Sequence, residues 1–174
     1  WLSILTWLMP LKMFVNWLHA IDLIIASLFI VLFLCRQKIG WPAIALGLLA
    51  AFWLGSNLTL TYAGHTGKYG VVMMASVALY CISRALSRVP SVLWSLLAGG
   101  AIGFMFLEQL DVALFFGFVL GAYALFLAVR QWQANGVWAK SASALSLMGG
   151  VGLLIAGSMM FSGYATNVKG NASI

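Results

Sequence analysis

The stretch LKMFVNWLHAIDLIIASLFIVLFLC, residues 11–35, decides the fold. From Leu23 to Leu34 it carries nothing more polar than Ser27. A helix rises about 1.5 Å per residue and the hydrocarbon layer is about 30 Å thick, so roughly 20 predominantly apolar residues suffice to cross a bilayer. This stretch is long enough. It lacks the strict apolar/polar alternation of a barrel strand, so its backbone groups must be satisfied in lipid by a helix.

The rest of the chain repeats the pattern. Of 174 residues, 64% are hydrophobic and 7% charged, against about 25% charged in a soluble domain. Such a chain cannot cover a water-facing surface. The expected class is an all-α integral membrane protein, a bundle of about six transmembrane helices with short loops. The spans are read as Leu11–Cys35, Pro42–Ala63, Tyr69–Ala85, Pro90–Leu107, Asp111–Val129 and Ala139–Tyr164. They are separated by RQKIGWP, GHTGKYG, SRVPS, EQLD and RQWQANGVWAK. None of these gaps can hold a soluble domain. Residues 11–164 thus form the membrane domain, 1–10 an interfacial segment or truncated helix stub, and 165–174 an external tail.

Charge orients the bundle, because cytoplasmic loops are enriched in Lys and Arg. The first, third and fifth gaps hold Arg36, Lys38, Arg84, Arg88, Arg130 and Lys140, whereas the opposite side has only Lys12, Lys68 and Lys169. The RQK side is therefore expected to be cytoplasmic, with GHTGKYG and EQLD outside. Cys35 and Cys81 then fall near the cytoplasmic ends of their helices, where thiols stay reduced, so no disulfide or metal framework is indicated. An even number of spans puts both termini outside. The chain begins with Trp1 and has no signal peptide, which reads as a segment of a longer polytopic protein or a processed small subunit.

Packing signals are plentiful. Gly47, Ala51, Gly55 and Thr59 recur at intervals of four, as do Gly99 and Gly103, Gly117 and Gly121, and Gly152 and Ala156. Small residues at this spacing let helix backbones approach closely in lipid. Trp17, Trp41, Trp132 and Trp138 suit interfacial anchoring.

The few polar positions carry any chemistry. Lys12, Asn16, His19 and Asp22 form one stripe on the first helix, and polar groups in a span turn toward the bundle interior or an aqueous cavity. Asn16, His19 and Asp22 either line such a cavity or tie helices together by hydrogen bonds. His65 and Lys68 lie in a loop where Gly64, Gly67 and Gly70 are expected to supply unusual backbone angles. The pair suits a lipid phosphate, and equally a solvated turn with a snorkelling Lys. Glu108 and Asp111 stand three apart. Asp111 is expected to cap the fifth helix, while Glu108 is open to a role as proton acceptor, as co-ligand with Asp111 of a divalent cation, or as partner to Lys68 or His65. A haem between His19 and His65 is geometrically conceivable. No metal site and no nucleic-acid partner are suggested, and the pattern names no cofactor.

Three phrases acquire meaning together: TYAGHTGKYG at 61–70, GFMFLEQLDVALFFG at 103–117 and MFSGYATNVKG at 160–170. In order and spacing they resemble the middle of multi-spanning bacterial membrane proteins of the YfhO type, which are similar to the GT-C superfold of lipid-linked-sugar glycosyltransferases. The resemblance implies sugar transfer from a polyprenyl-phosphate carrier at the external face of the bacterial cytoplasmic membrane. By that reading Glu108 or Asp111 is the catalytic carboxylate, and Lys68 with His65 holds the carrier phosphate. The family is expected to place its principal catalytic acids in an early external loop, and nothing before Leu11 supplies one here. The resemblance therefore covers a portion of an enzyme. The rival expectation is a non-catalytic subunit of a larger membrane complex, bound to neighbouring transmembrane helices. A transporter using Asp22 as a proton site is less favoured, since no pair of interrupted helices marks an inverted repeat.

Overall fold

The computed structural model describes residues 11–52, 67–87, 91–136 and 138–164. They form six helices: α1 (Leu11–Arg36), α2 (Trp41–Phe52), α3 (Gly67–Ala85), α4 (Val92–Glu108), α5 (Leu110–Asn135) and α6 (Trp138–Tyr164). The all-helical expectation holds for the described residues. Three segments are long and apolar enough to cross a membrane: Trp17–Arg36, Leu110–Ala134 and Trp138–Ser158. α2 and α4 are apolar but shorter. The second half of the expected second span, the stub at 1–10 and the tail at 165–174 lie outside the described residues.

α3 is the hub. It packs against α1, α4 and α5, while α6 rests on α4 and α5. Its burial explains its composition: Ser76 and Ser83 can sit in this helix because each hydroxyl donates to a carbonyl of its own preceding turn, Val72 at 2.8 Å and Tyr80 at 2.7 Å. The apolar load instead faces outward on α5 and α6, where Phe115, Phe118, Leu153, Leu154 and Phe161 are each at least 74% exposed. An outer surface of this kind is what a lipid solvent requires.

The glycine ridges divide into two kinds. A Cβ on Gly99 would fall 2.6 Å from the Met148 carbonyl oxygen, and one on Gly103 would fall 2.6 Å from Ile155 Cβ. Gly152 answers from α6, where a Cβ would fall 3.4 Å from the Gly99 carbonyl oxygen. Here the small residues bring α4 and α6 into backbone contact. Gly47 and Gly121 meet nothing within 4 Å, and Gly117 meets only the Phe106 ring. Four-residue spacing alone therefore overstated the packing at Gly47 and Gly121; Gly55 and Thr59 lie outside the described residues.

Helix ends at the RQK side are tightly closed. At the end of α1 the Lys38 N–H donates to the Cys35 carbonyl at 3.0 Å and the Ile39 N–H to the Leu34 carbonyl at 3.2 Å. This double closure is a Schellman turn, which places the residue after the cap in the left-handed region usually held by glycine. Lys38 occupies it with φ 61°, at a cost of about 1 kcal/mol relative to Gly. α5 ends on the customary residue: Gly136 has φ 68° and its N–H donates to the Trp132 carbonyl at 2.7 Å. Cys35 is exposed and Cys81 buried, and both are free thiols.

Candidate functional site

The sequence GKYG at 67–70 is the opening turn of α3, not part of a loop. Gly136 is the one glycine with positive φ among the described residues, so the expected left-handed angles at Gly67 and Gly70 do not occur. Their small size serves close approach. A Cβ on Gly70 would fall 2.8 Å from both Cδ and Oε2 of Glu108, and one on Gly67 would fall 3.3 Å from the Glu108 carbonyl oxygen. The end of α4 thus leans on the glycine face that begins α3, and the start of α3 meets the α4–α5 junction at one end of the bundle.

α1 completes the site. His19 faces Tyr69 with ring centroids 5.9 Å apart, and Tyr69 packs beside Leu23 and Ala26. One helical turn beyond His19, Asp22 is only 2% exposed, and its Oδ1 accepts no hydrogen bond. Glu108 lies within electrostatic reach of Asp22. Two carboxylates from different helices therefore share a small polar region that also holds an imidazole and a phenol. Lys68 sits half-buried in the same opening turn of α3. Glu108 stands just past Leu107, where the apolar run ends, and burial pushes its carboxyl above the usual carboxylate range.

The sequence-derived set is brought together only in part. Glu108, His19 and Asp22 converge on the first turn of α3, which carries Lys68. Asp111 is exposed in the first turn of α5, and Gln109 holds the cap position with no side-chain hydrogen bond, so the expected capping role for Asp111 is corrected. Asp111 can still favour the helix dipole from the first turn. His65 lies outside the described residues, as does the Asn16 side chain. The described residues contain no group of three or more His, Cys, Asp or Glu able to hold a metal ion.

From sequence alone Tyr69 marks only the start of the third span and has no role in the site. Its signal is positional: a residue at the start of a helix reaches the facing stripe on α1. Comparison of the chain with protein-family models, curated proteins and solved structures returns no match.

Proposed function

We propose that this chain is the membrane-embedded portion of a GT-C-like protein that handles a polyprenyl-phosphate-linked sugar at the external face of a bacterial cytoplasmic membrane. In this reading all six helices belong to a multi-pass bundle with the RQK end in the cytoplasm. The observation that carries it is the seat of Glu108 on the Gly67–Gly70 face, in the turn that also bears Lys68. A carboxylate seated on a helix turn whose sequence also carries a cation, at the end of an apolar bundle, suits a substrate with an anionic phosphate and an acceptor hydroxyl.

The chemistry follows from those positions. Glu108 takes the proton of the acceptor hydroxyl as its oxygen bonds to the sugar anomeric carbon. The bond from that carbon to the carrier phosphate breaks, and Lys68 neutralises the departing polyprenyl phosphate as a point charge. A carboxyl with raised proton affinity is better matched to this task than a fully solvated one. Glu108 is favoured over Asp111, which is exposed on α5. Asp22 and His19 would orient the acceptor from α1.

In a second reading, a non-catalytic subunit of a larger membrane complex, part of the outer surface that carries Phe115, Phe118 and Phe161 would meet neighbouring helices in place of lipid. The discriminating experiment reconstitutes the protein in proteoliposomes with a polyprenyl-phosphate-linked sugar. It compares wild type with Glu108→Gln and Lys68→Ala, following sugar transfer and assembly separately. The enzyme reading expects transfer to fall with assembly intact. Unchanged transfer in both variants, or transfer absent from the wild type, sinks it in favour of the scaffold.

A further inference from the structure

The opposite end of the bundle holds a cavity of about 760 Å³ between the ends of α1, α3 and α5. Arg36 and Lys38 line it from α1 and the turn that follows, and Arg130 lines it from α5. None of the chain's three acids does. Asp22 is fourteen residues before Arg36 on the same helix, about 21 Å away along the axis at about 1.5 Å per residue, and Glu108 sits against the far end of α3. Among the described residues that line the cavity, the three cations meet no carboxylate.

We infer that this cavity binds a phosphate-bearing anion. Three helix C-termini approach the same end, each carrying about half a negative unit charge, which offsets only part of three full positive charges. Two guanidinium groups can each meet a phosphate through paired N–H donors, with an ammonium as a third, compact charge. The volume lies within the range of about 300–1,000 Å³ typical of small-ligand sites, so an organic body attached to the phosphate is accommodated.

The walls are held in place. Gln131, only 7% exposed, donates to the Ser87 carbonyl at 2.8 Å and accepts from the Ser141 hydroxyl at 2.8 Å. These bonds fix the α5 wall to α6 and to the segment after α3. On the other side the Gln37 amide donates to the Tyr123 hydroxyl at 3.5 Å, linking the Arg36–Lys38 turn to α5.

Lys38 supplies the independent sign. Its left-handed φ of 61° occupies a position where glycine is the relaxed choice. Neutralising the α1 dipole does not require it, since Arg36 already stands in the last turn. A strained cation kept where it lines a cavity is a residue held for its charge. The site does not depend on the sugar-transfer reading, because it uses other residues at the other end of the bundle.

The ligand's phosphate can come from an anionic phospholipid or from a soluble phosphate ester, and one experiment separates them. The full chain is purified in neutral detergent, and its thermal unfolding is followed with phosphatidylglycerol, phosphatidylcholine or sn-glycerol 3-phosphate. A ligand that binds the folded state raises the transition with the logarithm of its concentration relative to Kd, so the concentration dependence reports the affinity. Stabilisation by phosphatidylglycerol but not phosphatidylcholine identifies a lipid headgroup, and stabilisation by glycerol 3-phosphate identifies a soluble ester. The affinity read from either effect should fall about tenfold in Arg130→Gln, the scale of one charge-assisted contact. Lys38→Gly should lose affinity while unfolding at a higher temperature without ligand, which separates binding from folding. Equal stabilisation by phosphatidylcholine, no stabilisation by either phosphate probe, or undiminished binding in both variants overturns the inference.

Discussion

The Glu108 side chain fills the space that a β-carbon on Gly70 would need, which would fall 2.8 Å from Oε2. The relationship is one-sided, because Glu108 can swing outward whereas the α3 backbone cannot move without disturbing three neighbours.

Gly70→Ala should therefore displace the carboxylate with little harm to the fold. Ala improves helix propensity by about 1 kcal/mol, which offsets part of the crowding. Thermal stability should stay within about 1 kcal/mol of wild type while any Glu108-dependent transfer falls as far as it does in Glu108→Gln. A large stability loss with activity retained would show that Glu108 is a packing element only.

The α4–α6 contact behaves differently, since a Cβ at Gly99 meets the Met148 carbonyl rather than a flexible side-chain end. Gly99→Ala should force the helices apart and cost about 1–3 kcal/mol, the usual scale of overpacking. Gly121→Ala, with nothing within 4 Å, should be neutral or stabilising by a few tenths of a kcal/mol up to about 1. Unfolding in mixed micelles of the two variants side by side measures the difference. Equal effects would remove the distinction between the ridges.

Ser141 is fully buried and satisfies the Gln131 side-chain oxygen at 2.8 Å. Ser141→Ala leaves that oxygen without its donor and should cost about 1–3 kcal/mol. Replacing Ser143 instead, which is exposed and donates only to the Lys140 carbonyl in its own helix, should cost less. A reversed order in the unfolding midpoints would place the α5–α6 tie elsewhere.

Most of the helical layout was legible because hydrocarbon imposes one periodicity-free signal, continuous apolarity, broken by short charged gaps. The first span was read to within one residue of α1, since Arg36 and Lys38 end it abruptly. What failed was the meaning of glycine. Gly67 and Gly70 looked like turn residues, but sequence cannot tell a glycine needed for φ from one needed for room, and only the position of Glu108 decides. Asp111 misled for a related reason: the extended residue before the helix is Gln109, so the acid lies inside the first turn. The basic cavity went unseen because Arg36, Lys38 and Arg130 were counted as an orientation signal, and a count of charges carries no information on whether they face one another.

Glu108 also predicts a pH dependence. Burial raises its carboxyl above the usual range, so the folded chain binds that proton more tightly than the unfolded chain does. Stability from this group is fully present below the unfolded value and is lost as pH rises through the higher folded value. Unfolding free energy should thus decline with increasing pH across that window, and Glu108→Gln, which cannot ionise, should flatten the decline and unfold later than wild type above it. Asp22, His19 and Lys68 surround the same turn and remain in both proteins, but Asp22 lies within electrostatic reach of Glu108, so the difference between the two profiles reports the coupled pair of carboxylates. Parallel wild-type and Glu108→Gln profiles from pH 4 to pH 8, on the order of the ordinary carboxylate range and the units above it, would mean that water reaches the carboxylate freely and that its seat against Gly70 does not desolvate it.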